Sequence, residues 1–183
     1  PTSTTHFSII DNEGNVASIT SSIENSFGSR LMAGGFVLNN QLSDFNFKIE
    51  KNLFKNNIIK KNKKPLSSMS PTIVFDKNDN IKMVIGSPGG KSIIMYVVKT
   101  IIGVIDWEMN INQAVNFPNF SISNNKIILE KNKFDKEIKK YLSDIGHIII
   151  EKKLNSGLNG FEIKNERISG VADQRRNGLA ISY

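Results

Sequence analysis

"TTHFSIIDNEGNVAS", Thr4–Ser18, is the stretch on which the fold turns. Thr5 to Ile10 alternates, "DNEGN" is a turn signal, and Val16 to Ile23 alternates again. Two such runs about a short polar turn predict a β-hairpin. In a strand starting at Thr4, the two-residue period puts Thr4, His6 and Ser8 on one face and Thr5, Phe7 and Ile9 on the other. On the partner strand Val16, Ser18, Thr20 and Ser22 share a face, a polar run that ends in a hydroxyl.

Outward from this hairpin, "GGFVLNN" gives a short strand, and "PTIVFDKNDNIKMVIGSPGG" predicts a second hairpin running into a glycine turn. "SIIMYVVKTIIGVI", Ser92 to Ile105, reads as a buried helix, too short to span a bilayer and interrupted by Lys99. "NINQAVNF" suggests a short helix with an Asn cap. "KIILE", "FDKEIKKYLSDIG" and "HIIIEK" read as strand, helix, strand, and "FEIKNERISGVAD" as a last hairpin. Strands in antiparallel pairs with helices between them predict an α+β fold, a sheet covered by helices, in one domain over 1–183.

The chain has no cysteine, which excludes disulfides and thiolate chemistry and suits an oxidising compartment. Its net charge of +7 raises the possibility of nucleic acid. Phe47 to Lys64 holds Lys48, Lys51, Lys55, Lys60, Lys61, Lys63 and Lys64 against Glu50 alone, and with only Phe47 and Phe54 it lacks the aromatic interleaving that a base-stacking surface uses. This reads as a solvated basic loop, with a polyanion-binding patch as the lesser reading.

Only His6 and His147 are available as imidazoles. No cluster has the ligands of a zinc site, and no phosphate or dinucleotide loop is present. His147, at a strand start, reads as structural. One chemistry works within these limits. An N-terminal threonine carries its own base, because an α-amino group titrates near pH ~7.7–8.0 and can take the hydroxyl proton. A threonine becomes N-terminal when a precursor is cut immediately before it.

"TTHFSIIDNEGNVAS", followed in order by "FGS", "LNNQLSDF", "PLSSMSPTIVF", "GSPGG" and "GVADQRRNG", resembles the small subunit of the bacterial γ-glutamyltransferases, also called glutathione hydrolases. The resemblance runs from Thr4 to Tyr183. It implies the αββα sandwich of N-terminal-nucleophile hydrolases, here the small-subunit half, and a proenzyme that cuts itself before Thr4, leaving Pro1, Thr2 and Ser3 upstream.

The resemblance also implies site residues. Thr4 matches the nucleophile, and Ser22 matches a usual threonine whose hydroxyl orients it. Glu24, Gln41 and Asp44 match residues that hold the donor's α-ammonium, for which carboxylates are suitable acceptors. Ser67 and Ser68 match the pair that binds its α-carboxylate. Gly89 and Gly90 match the oxyanion hole, where backbone N–H groups approach the developing charge at a helix start. Asn39, Asn40, Asp173, Arg175 and Arg176 also lie in the shared motifs and read as structural.

The activity expected from this is transfer of a γ-glutamyl group from glutathione or a similar donor, through a threonyl ester, to water, an amino acid or a peptide. No metal or cofactor is implied. The partner is the large subunit of the same precursor, with no nucleic acid and no membrane span, in the periplasm or outside the cell. Two other readings remain open: a poly-γ-glutamate-processing relative, and an inactive polyanion-binding one.

Overall fold

The computed structural model describes residues 3–47 and 57–182. Strand β1 (Thr4–Ile10) and β2 (Val16–Ser22) form the expected antiparallel ribbon, with Thr4 opposite Ser22 and His6 opposite Thr20. Its turn is held by Asp11, whose carboxylate accepts the backbone N–H groups of Glu13 and Asn15. The two faces are not buried as hydrophobicity alone would have them. His6 points inward, while Phe7 and Ile9 stand 41% and 54% exposed on the other side.

Short strands β3 (Met32–Ala33) and β4 (Phe36–Val37) pair with each other, so "GGFVLNN" contributes half of a small hairpin. Strands β5 (Thr72–Phe75) and β6 (Ile81–Gly86) form the second predicted hairpin. They join β10 (Asn159–Lys164) and β11 (Arg167–Ala172) in a four-stranded sheet of order β11-β10-β6-β5. The β1–β2 ribbon lies against β6 and β10 of this sheet.

Helix α1 (Ile93–Ile105) follows the glycine turn, and α2 (Ile111–Asn116) packs on it. The buried residues of α1, among them Ile93, Tyr96, Val97, Thr100 and Val104, recur at helical spacing. Gly103 lets α2 approach, since a Cβ there would sit 3.0 Å from that of Ala114. Asn110 caps α2 in a reciprocal box with Gln113. Met83, Ile85, Ile93, Ile111, Leu158 and Val171 centre the core, each full burial contributing about 1.5–3 kcal/mol.

A third sheet holds β7 (Phe120–Ser123), β8 (Lys126–Glu130) and β9 (Ile148–Lys152), with α3 (Lys136–Asp144) between the last two. Two expectations need correction here. The pairing of β8 with β9 is parallel, because α3 returns the chain to the end at which β8 began. Strand β7 was not anticipated, since its four residues before an Asn-Asn turn give too short a pattern to read. His147 is exposed, immediately before β9.

Among the described residues no helix is long and apolar enough to cross a membrane. Of the basic segment, Lys60, Lys61 and Lys64 are exposed, while Lys48, Lys51 and Lys55 lie outside the described residues, as do Pro1 and Thr2.

Candidate functional site

Thr4 opens β1 on the inward face of the ribbon. Its Oγ1 is 3.0 Å from Ser22 Oγ across the strand pair. Ser22 Oγ also accepts the backbone N–H of Glu24 at 2.9 Å. Glu24 has a left-handed φ of 69°, which turns the chain away at the ribbon's end. Ser3 is bound to that same turn, its hydroxyl 2.6 Å from the Glu24 carbonyl oxygen and 2.9 Å from that of Asn25. A cavity of about 150 Å³ beside Thr4 is walled by Pro88, Gly157, Asp173, Arg176 and Asn177.

The other expected polar residues fall into a connected set. Asn40 N–H donates to the Ile23 carbonyl at 3.3 Å, and Asn40 Oδ1 accepts Asn25 N–H at 3.0 Å, joining the Gln41–Asp44 3₁₀ turn to the end of β2. Within that turn Gln41 Nε2 donates to the Asp44 carboxylate. Asn57, which the sequence did not single out, bridges onward. Its Nδ2 donates to the Asp44 carbonyl at 2.6 Å, and its Oδ1 accepts Leu66 N–H at 3.0 Å, immediately before Ser67 and Ser68. Ser67 Oγ accepts Met69 N–H at 3.2 Å, and the Ser68 carbonyl accepts Ser70 Oγ–H at 3.0 Å.

Gly89 and Gly90 lie between β6 and α1, on a 3₁₀ turn that leads into the helix. Gly89 has φ 144°, and a Cβ there would come within 2.6 Å of the Tyr96 ring, so both its backbone and its surroundings require glycine. Burial pushes the Tyr96 phenol above its ordinary pKa. Gly89 opens on a second cavity of about 710 Å³, shared with Ser92, Lys153, Arg175 and Arg176. No hydrogen bond joins Thr4 to either glycine. Pro88 connects the two regions by lining the cavity beside Thr4.

Adjoining the two cavities is a buried polar circuit, of which the sequence reading singled out Asp173 and Arg175 as structural but not Ser156, Asn119 or Glu130. Asp173 accepts the Ser156 hydroxyl, and Ser156 Oγ accepts Asn119 Nδ2–H at 2.7 Å. Asn119 N–H donates to Glu130 Oε2 at 2.7 Å. Glu130 accepts Arg175 Nε–H and Nη2–H at 2.7 and 2.8 Å, and Arg175 Nη1 returns to Asp173 at 3.2 Å. Burial is the strongest single influence and works to raise the Glu130 carboxyl, but the Arg175 hydrogen bonds, the Asn119 N–H and the Arg175 and Lys133 charges together hold the group below its ordinary value. Lys99 is 1% exposed and donates to the Val115 and Phe117 carbonyls, the α2 end that Arg175 also reaches. Burial, and then the Arg175 charge, pull its pKa down to about 7.

His6 is 7% exposed, with Nδ1 2.8 Å from Thr20 Oγ1 and Nε2 3.0 Å from Ser8 Oγ. Both ring nitrogens are occupied, and neither bonds to Thr4. Among the described residues no group of His, Asp or Glu is arranged to hold a metal ion.

A family model described as gamma-glutamyltranspeptidase matches residues 1–183. The chain is 37% identical over 183 residues to the glutathione hydrolase proenzyme of Bacillus subtilis strain 168, covering 97% of this chain and 30% of that protein. It is 33% identical over 181 residues to the capsule biosynthesis protein CapD proenzyme of Bacillus anthracis, covering 96% of this chain and 33% of that one. It therefore spans about a third of the length of these relatives. A crystal structure of a mutant Helicobacter pylori gamma-glutamyltranspeptidase superposes with a TM-score of 0.84 at 37% identity, covering 94% of this chain and all of that one. The ribbon, the four-stranded sheet and the α1–α2 layer are thus one half of the αββα arrangement of N-terminal-nucleophile hydrolases.

Proposed function

The chain belongs to the gamma-glutamyltranspeptidase family, and on that premise we propose that it is the nucleophile-bearing part of a γ-glutamyltransferase and glutathione hydrolase, matured by cleavage before Thr4. The observation that carries this reading is the Thr4–Ser22 hydrogen bond at the mouth of a cavity, in a chain whose two histidines are both elsewhere engaged or exposed. Thr4 Oγ1 attacks the γ-carbonyl of the donor, and the freed α-amino group of Thr4 takes the proton. The amine or cysteinylglycine half departs with a proton, and a water or amino-acid acceptor then attacks the threonyl ester. Gly89 and Gly90 N–H groups hold the charge that develops on the carbonyl oxygen. Glu24, Gln41 and Asp44 take the donor ammonium, and Ser67 and Ser68 its carboxylate.

With the Ser3–Thr4 bond intact, the Thr4 nitrogen is an amide and cannot serve as base. Self-cleavage uses the same hydroxyl on the Ser3 carbonyl, an N-to-O acyl shift followed by ester hydrolysis. The rest of the precursor supplies the large subunit, and the mature protein acts outside the cytoplasm. The test is Thr4→Ala in the whole precursor. It should abolish both subunit formation on a gel and turnover of a γ-glutamyl anilide. A Thr4→Ala protein that still splits would end this assignment.

A second reading takes a γ-linked glutamyl polymer as donor, favoured by the likeness to a capsule biosynthesis proenzyme. Parallel assays on glutathione and poly-γ-glutamate separate the two.

A further inference from the structure

We propose that His6 is a positioning residue whose ring sets the separation between the strand bearing Thr4 and the turn bearing Gly89 and Gly90. The proposal rests on the reading of Thr4 as nucleophile. His6 lies two residues from Thr4 on the same inward face of β1. Its ring is held along both edges, by Ser8 on its own strand and Thr20 on the partner. It is therefore a rigid part of the ribbon rather than a free side chain.

The other side of the contact is Gly86, the last residue of β6. A Cβ built on Gly86 would come within 2.6 Å of the ring's Nε2, and closer still to Cε1 and Nδ1. No other atoms crowd that position so closely, so the missing side chain at Gly86 is the seat of the imidazole. Its φ is outside the left-handed region, so backbone freedom is not the reason for glycine here. From Gly86 the chain runs directly through Ser87 and Pro88 to Gly89. The planar ring thus separates the root of the oxyanion turn from the nucleophile strand by a fixed thickness. A reacting pair misplaced by about 1 Å loses roughly a hundredfold in rate, so a stiff spacer at this point has a direct catalytic consequence.

Electrostatics suit a spacer and not a base. Burial pushes the imidazole down to about 4, so it is neutral at ordinary pH. A neutral ring donates from one nitrogen and accepts at the other, which two hydroxyls satisfy in full. A hydrophobic ring of similar size would lose those edge contacts and be free to slide along the ribbon.

The test is a size exchange in the full precursor. Gly86→Ala puts a methyl where the ring edge lies, His6→Ala removes the ring, and the double variant does both. Self-cleavage, kcat and KM on a chromogenic γ-glutamyl anilide are measured for each. Gly86→Ala should lower kcat about a hundredfold, and His6→Ala about tenfold with KM within about twofold of the parent. The double variant should recover at least about tenfold over Gly86→Ala, because its methyl occupies the vacated space. A double variant no more active than Gly86→Ala, or a His6→Ala loss confined to KM, overturns the proposal. The same exchange is read by melting of the uncut Thr4→Ala precursor, where no chemistry is required. Should Gly86→Ala alone fail to fold, restoration of folded protein by His6→Ala supports the contact, and failure to restore it overturns it. Compensation in melting together with an active Thr4→Ala enzyme would retire the nucleophile reading and the positioning role with it. A lack of compensation in either readout retires only the spacer.

Discussion

Replacing Ser22 isolates the contact nearest the proposed chemistry. Ser22 Oγ accepts the Glu24 N–H at 2.9 Å and lies 3.0 Å from Thr4 Oγ1. Ser22→Ala deletes one neutral hydrogen bond to the nucleophile, a net loss of about 0.5–1.5 kcal/mol. Glu24 is half-buried, and the hydrogen bond its N–H loses is likewise a neutral one. At about 1.4 kcal/mol per decade, kcat should fall roughly two- to thirteenfold. KM for the donor should rise modestly, since the Glu24 turn loses one tether. Ser22→Thr keeps the oxygen and should stay near the parent. Steady-state turnover of a γ-glutamyl anilide by the processed enzyme measures all three. An unchanged kcat in Ser22→Ala would mean the hydroxyl does not orient Thr4. A loss beyond about a thousandfold would mean Ser22 takes part in proton transfer, and the role assigned here would be wrong.

Two more outcomes are expected. Asp44→Asn should raise donor KM about tenfold to a hundredfold with self-cleavage intact, since one charged partner of an ammonium is worth about 1.5–3 kcal/mol; unchanged kinetics would leave Asp44 as the acceptor of Gln41 and nothing more. Lys99 has a folded-state pKa near 7 against 10.5 unfolded, so the unfolded chain binds its proton more tightly between those values and stability should rise with pH across that window, by at most about 1.4 kcal/mol per unit. Lys99→Met keeps the stem and should flatten that rise in melts of the Thr4→Ala precursor between pH 7 and pH 9.5; equal slopes would refute a buried, proton-shedding Lys99.

Local pattern and tertiary packing divide the legibility of this chain. The Thr4–Ser22 ribbon, the α1 helix and the Asn110 cap were readable because alternation, helical spacing and capping act within a few residues. Which ribbon face turns inward was not, since the face with His6 meets Gly86 across the interior, and that match is made by residues far apart in sequence. Lys99 stood out in an apolar helix, yet its destination at the end of α2 depends on how the two helices cross. Gln41 and Asp44 were legible as members of one short motif, "LNNQLSDF". Asn57, which links Asp44 to the Ser67 segment, carries no motif of its own. Ser156, Asn119 and Glu130 were invisible for the same reason, each meeting a partner many residues away.

The cavity beside Thr4 draws its first wall from β1 and its far wall from Asp173, Arg176 and Asn177, beyond the last strand. A ribosome makes these in that order, and chains begin to fold from the end that emerges first. Throughout synthesis the hydroxyl of Thr4 therefore waits beside an unfinished enclosure. Only when the turn after β11 has been translated, and Arg175 has locked it to Glu130, is the enclosure complete. Under the cleavage before Thr4 proposed above, this order places the cut after the polypeptide has been made through Asn177, and a product truncated before that point should stay uncut.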